Sequence, residues 1–156
     1  MRANFLRNGT SALALATLDK KRSFVNSGIV KWLPVVLHEP LHRRCQNCDN
    51  RLERHYIYNT LPSFLVFNVH ETTAKLVQFI KLQEQQYRLC GIVYFGNFHF
   101  TSRVVTPAGD VLFYDGMVDD GMCSYDGNLN SMTVTSLHET RGRAMSMAVY
   151  YKVDTD

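Results

Sequence analysis

A chain of 156 residues and 17.9 kDa, 46% hydrophobic and 12% aromatic, is the size of one domain and has enough apolar surface for a real core, which excludes wholesale disorder. No apolar run reaches the ~18 residues of a membrane-crossing helix. The net charge of +3 is uneven, basic up to Arg54 and acidic beyond it.

Before Glu39 the only acid is Asp19, while Arg2, Arg7, Lys20, Lys21, Arg22 and Lys31 are basic. Such a segment has a transit-peptide-like composition, but the plainer reading is a solvated basic turn at Lys20-Lys-Arg22 after a short helix or strand, Ser11-Ala-Leu-Ala-Leu-Ala-Thr-Leu18. The charge lacks interleaved aromatics, which argues against a nucleic-acid binder. Residues 1–40 therefore read as a basic N-terminal segment and residues 41–156 as the main folded unit. Around the single tryptophan, Gly28-Ile-Val-Lys-Trp-Leu-Pro34 reads as a strand or short helix interrupted by Pro34.

Pro40 and the polar run 42–50 mark a tight loop, after which His55-Tyr-Ile-Tyr58 alternates like a strand. The continuous apolar Phe64-Leu-Val-Phe67 predicts a central strand buried on both faces. Residues 76–82 fit a helical stripe as well as a strand, and Val77, Phe79 and Ile80 favour the strand. Two alternating strands follow, from Tyr87 to Phe95 and from Phe98 to Val105, with Gly96-Asn97 as the turn between them. The turn Pro107-Ala-Gly-Asp110 then leads to a third, Val111-Leu-Phe-Tyr114. Residues 116–130, rich in glycine and acid, read as a surface loop. Met132-Thr-Val-Thr-Ser-Leu137 and Ala144-Met-Ser-Met-Ala-Val-Tyr-Tyr-Lys152 alternate as two last strands, so the chain from His55 onward predicts an antiparallel meander.

On neighbouring strands of such a hairpin, His99 and Asp115 can face each other. A carboxylate beside one ring nitrogen fixes the imidazole tautomer and leaves the other nitrogen to take a proton from a thiol or hydroxyl. The nucleophile is harder to find. Cys90 lies in mid-strand without a helix terminus to activate it, Cys123 sits among Asp119, Asp120 and Asp126, and Ser102 shares the strand of His99. Cys45-x-x-Cys48 has the spacing of half a tetrahedral zinc site, which His42 and His55 would have to complete; a plain surface turn is the alternative. The cysteines otherwise show no regular spacing and do not form a secreted disulfide framework, so a reducing cytoplasm or nucleus is expected.

The ordered set Cys45-x-x-Cys48, Leu61-Pro-Ser-Phe-Leu-Val-Phe67, Tyr87-Arg-Leu-Cys-Gly-Ile-Val93, His99-Phe100, Phe113-Tyr-Asp-Gly116 and Ala148-Val-Tyr-Tyr151 resembles the C-terminal half of a ubiquitin-specific protease, a papain-like cysteine peptidase. The resemblance implies a mainly β fold, an antiparallel sheet like the palm and fingers of that enzyme, with ubiquitin or a ubiquitin-like protein as partner and no cofactor required. It places the general base on His99 and the orienting residue on Asp115. Phe98 stands where the family has glycine, Phe100 where it has tyrosine, and Gly116 where it has a second acid. With Tyr114, the two phenylalanines are the candidate substrate-binding residues. The family's N-terminal cysteine box is absent from this sequence. The expectation is a deubiquitinase-like piece that keeps base and orienter without a nucleophile and is inactive alone, or else a non-catalytic module that grips ubiquitin.

Overall fold

The computed structural model describes residues 3–6, 13–17, 29–32, 38–57, 60–70 and 75–154. The expectations for residues 20–22, for Pro34 and for Tyr58 lie outside them. The fold is mainly β and its sheets are largely antiparallel, as expected. The strands are β1 (Ala3–Leu6), β2 (Leu13–Thr17), β3 (His38–Arg44), β4 (Arg51–Ile57), β5 (Phe64–Asn68), β6 (Phe79–Leu82), β7 (Gln85–Gly96), β8 (His99–Val105), β9 (Asp110–Tyr114), β10 (Ser124–Asn128), β11 (Glu139–Thr140) and β12 (Arg143–Lys152). One short helix, α1 (Val134–His138), and 3-10 turns at Ile29–Trp32, Asp119–Gly121 and Leu129–Ser131 complete the described elements. No helix among them is long and apolar enough to cross a membrane.

A small sheet has the order β1-β4-β3, with β1 parallel and β3 antiparallel to β4. The larger sheet runs β10-β9-β8-β7-β12-β5-β2, with β6 also on β7 and β11 on β12. Strand pairing crosses residue 40, because β1 and β2 join β4 and β5. The meander runs from β6 to β10, each strand antiparallel to the next. The last strand, β12, inserts antiparallel between β7 and β5, so the meander expected from His55 onward is corrected at that side, and β2, ahead of that stretch, joins β5 in parallel. One edge of β7 is shared: β6 pairs residues 85–88 and β8 pairs residues 91–96, while β12 runs along the other edge.

The inner face follows from alternation. Leu65 and Phe67, Ile80 and Leu82, Tyr87, Leu89, Ile92 and Tyr94, and Met145, Ala148 and Tyr150 are all buried, closed over by Ile29, Val69, Leu76 and Leu137. Phe64 of β5 is 43% exposed and Val66 is half-buried, so this strand is central but buried on one face, not both. Three inward tyrosines use their hydroxyls to hold non-strand backbone: Tyr87 donates to Pro62 O at 2.7 Å, Tyr94 to Leu137 O at 2.8 Å and Tyr150 to Val77 O at 2.9 Å. Each aromatic body fills the core and each polar tip satisfies a carbonyl that burial would otherwise orphan.

Three further expectations are corrected. Residues 132–137 are not a strand: the Thr133 hydroxyl accepts the Ser136 N–H at 3.1 Å and opens α1, so a local cap outweighs the β-branched alternation. Residues 124–128 are not loop but β10, paired to β9 with a bulge between Tyr125 and Gly127; ladder bonds need no apolar side chains, which is why composition concealed it. The strand read over residues 76–82 starts only at Phe79.

Candidate functional site

The β7–β8 hairpin pairs Gly96 with His99, so its turn is Asn97-Phe98, one residue later than expected. Both residues have positive φ, 53° and 57°, the two-residue turn whose twist suits a hairpin. A bulky residue is strained there, and Phe98 is fully exposed, so its ring recovers nothing by packing. Phe98→Gly is expected to stabilise the protein by about 1 kcal/mol, read as a higher urea midpoint.

Past the turn, alternation on β8 sends His99, Thr101 and Arg103 to the inner face and Phe100, Ser102 and Val104 to the outer one. The β8–β9 ladder, with Ser102 opposite Tyr114, carries Asp115 just beyond β9 and back to the inner face. There the His99 Nε2 lies 2.7 Å from Asp115 Oδ1. The structure thus brings these two residues together.

Asp115 is buried, and its carboxyl is held below its ordinary value first by the His99 hydrogen bond, then by the Met117 N–H at 3.1 Å on the same oxygen. An ionised carboxylate only accepts, so Nε2 carries a proton and Nδ1 is the nitrogen left facing away from Asp115. Linkage gives a sign. A carboxyl depressed in the folded state contributes stability above the ordinary carboxylate value of about 4 and loses it as pH falls through the folded one. Urea titrations from pH 7 to pH 3 are therefore expected to show a shallower acid loss for Asp115→Asn than for the parent chain.

The aromatic candidates fall elsewhere. Phe100 stacks on Phe95 with centroids 4.6 Å apart, and Phe100 and Tyr114 both lie on the outer face, across the sheet from the His99 ring. Phe98 stands at the hairpin tip. A Cβ at Gly116 would lie 3.3 Å from the Tyr114 hydroxyl.

The thiols are dispersed. Cys90 is six residues along β7 from Gly96, about 20 Å, its Sγ lies 3.5 Å from Val149 O, and burial raises its thiol above the ordinary value. Cys123 is exposed ahead of β10. Cys45 and Cys48 occupy the β3–β4 turn, closed by Cys45 N–H to Asn50 O at 2.8 Å and Asp49 N–H to Cys45 O at 2.9 Å. The Asn47 backbone N–H, followed by the Cys48 side chain, draws the Cys45 thiol below its ordinary value. Tetrahedral zinc needs four donors. The pair offers two; His42 is exposed on β3, and among the described residues no group of three or more His, Cys, Asp or Glu is arranged to hold a metal ion.

Two arginines were not singled out from sequence. Arg103 is buried under the sheet, where its Nε donates to Asp126 Oδ2 at 2.6 Å and its guanidinium also reaches the Tyr94 hydroxyl and Ser136 O. Arg143 opens β12 and points a terminal nitrogen at Asp115 Oδ2, 4.0 Å away. The legible signal for Arg103 was a charged residue at an inward position between Thr101 and Val105.

The sequence matches no protein-family model and no curated protein. Among solved structures, the crystal structure of an essential yeast splicing factor is similar over 91% of this chain and 36% of that one, at 11% identity and a TM-score of 0.49.

Proposed function

We propose that this chain is the β half of a ubiquitin-specific-protease-like domain that keeps the base and its orienting carboxylate but not the thiol, and so does not cleave by itself. The observation that supports the reading is the 2.7 Å bond between His99 Nε2 and Asp115 Oδ1, formed by residues 16 positions apart. With a cysteine thiol supplied from outside these residues, Nδ1 of His99 would take the thiol proton as sulfur attacks the isopeptide carbonyl. The same nitrogen would return the proton to the leaving lysine amine, and water would then release the acyl group from sulfur. Asp115 keeps Nε2 protonated throughout. The four cysteines, all free, suit a reducing compartment, cytoplasm or nucleus.

A second reading, a non-catalytic ubiquitin-binding module, is favoured by the aromatics Phe98, Phe100, Tyr114 and Tyr125, which stay exposed around this end of the sheet. Ubiquitin carrying a C-terminal electrophile tests the proposal. The chain alone is expected to form no covalent adduct, and an adduct on Cys45, Cys48, Cys90 or Cys123 would refute the missing-thiol reading. Reversible binding to unmodified ubiquitin that Phe100→Ala weakens supports the binding module, whereas its absence removes ubiquitin as the partner.

A further inference from the structure

The inner-face register at the end of the sheet places three positions in one row across adjacent strands. His99 of β8 pairs with Gly96 of β7, and Ala144 of β12 pairs with Phe95, so Arg143 falls beside Gly96. Gly96 is the gap in that row. A Cβ there would lie 3.2 Å from both Cα and Cγ of Arg143 and 3.2 Å from Gly142 O, so any larger residue would crowd the arginine where it crosses β7 toward His99 and Asp115. The turn ahead of Arg143 is fixed by Arg141 and Gly142 at φ 48° and 74°, with Thr140 paired to Arg143. Arg141 itself lies over the Phe113 ring, 3.8 Å from its centroid, leaving Arg143 as the guanidinium that faces the carboxylate.

Burial makes this placement informative. The Arg143 side chain is only 18% exposed, and its Nε is buried without a hydrogen-bond partner. A buried donor left without a partner calls for an explanation. Here the guanidinium instead turns a terminal nitrogen toward Oδ2 of Asp115, while Oδ1 takes His99 Nε2 and the Met117 N–H. We infer that Arg143 is a positioning residue: it holds the second oxygen of Asp115, so that the first stays aimed at His99 and the ring keeps its proton on Nε2. Gly96 is the opening through which it reaches. The inference rests on the reading of His99 as a base, and it turns a pair of side chains into a three-membered site, Arg143–Asp115–His99.

The groups that bear on Asp115 are the His99 ring from β8, the Met117 N–H and the Arg143 guanidinium from β12, and each favours its ionised form. The test is NMR on the whole chain, following the Asp115 carboxyl carbon through acid titration and the His99 ring nitrogens at neutral pH. Arg143→Gln is expected to raise the Asp115 midpoint and to lose the Nε2–H signal to solvent exchange, while Arg143→Lys, which keeps the charge, returns both toward the parent. Gly96→Ala displaces the guanidinium without deleting it, and it is expected to move both signals as Arg143→Gln does. A purely structural arginine would change the melting temperature and leave these signals in place, so unmoved signals in a folded Arg143→Gln or Gly96→Ala chain overturn the inference. A parent spectrum with the proton on Nδ1 would instead refute the base reading itself, and the coupling of Arg143 to Asp115 would still be measured by the carboxyl titration.

Discussion

Arg103→Ala is expected to cost about 3 kcal/mol, the lower part of the range for breaking a buried ion pair, because Asp126 keeps a quarter of its side chain in water. At the size of this chain that is roughly 6–12 °C in melting temperature. The reason is the number of elements one guanidinium joins. From β8 it bonds Asp126 on β10, the Tyr94 hydroxyl on β7 and Ser136 O in α1, and it lies over the Tyr94 ring at 5.3 Å. Removing it leaves Asp126 without its cation and the Ser136 carbonyl without its donor, and α1 keeps only the Tyr94 hydroxyl and the packing of Leu137 to hold it against the sheet. Replacing both partners by apolar residues, Arg103→Met with Asp126→Leu, is expected to recover most of the loss, because neither charge is then stranded. Urea denaturation of the two single variants and the double variant reads the coupling, and additive losses would show that the pair does not act as a unit.

The same arginine shows where sequence reading stops. The hairpins of β7, β8 and β9 were legible because alternation and turn residues agree, and that agreement put His99 and Asp115 on one face of the sheet. Strand β12 was legible too, but its seat between β7 and β5 was not, since strand order depends on long-range pairing that periodicity does not encode. At Thr133 a single hydroxyl decided helix over strand. In β10 the ladder is carried by backbone, with the Arg103–Asp126 pair reaching past β9 to β8, so an acidic, glycine-containing stretch became a strand without an apolar signature. Arg143 was hidden for a different reason: its role depends on the empty space at Gly96, and a missing side chain leaves no pattern.

Tyr150 joins the core to backbone that belongs to no strand, and Tyr150→Ala is expected to cost about 3–5 kcal/mol. The ring is fully buried, meets Phe67 edge-on with centroids 5.7 Å apart, and lies on β12 between β5 and β7, so its loss opens a cavity under three strands. Tyr150→Phe separates the ring from the hydroxyl. It keeps the packing but leaves Val77 O without its donor, for an expected cost of about 1–3 kcal/mol. A pH signature distinguishes the two contributions. Burial pushes the Tyr150 hydroxyl well above its ordinary value, so above pH ~10 the unfolded chain releases that proton while the folded chain retains it. Stability from this group is therefore complete below pH ~10 and falls as the pH rises further. Urea midpoints measured from pH 8 to pH 11 are expected to decline more steeply for the parent than for Tyr150→Phe. Equal slopes would mean that the hydroxyl is reached by solvent in the folded state, and the tie from β12 to the backbone ahead of β6 would have to be carried by packing alone.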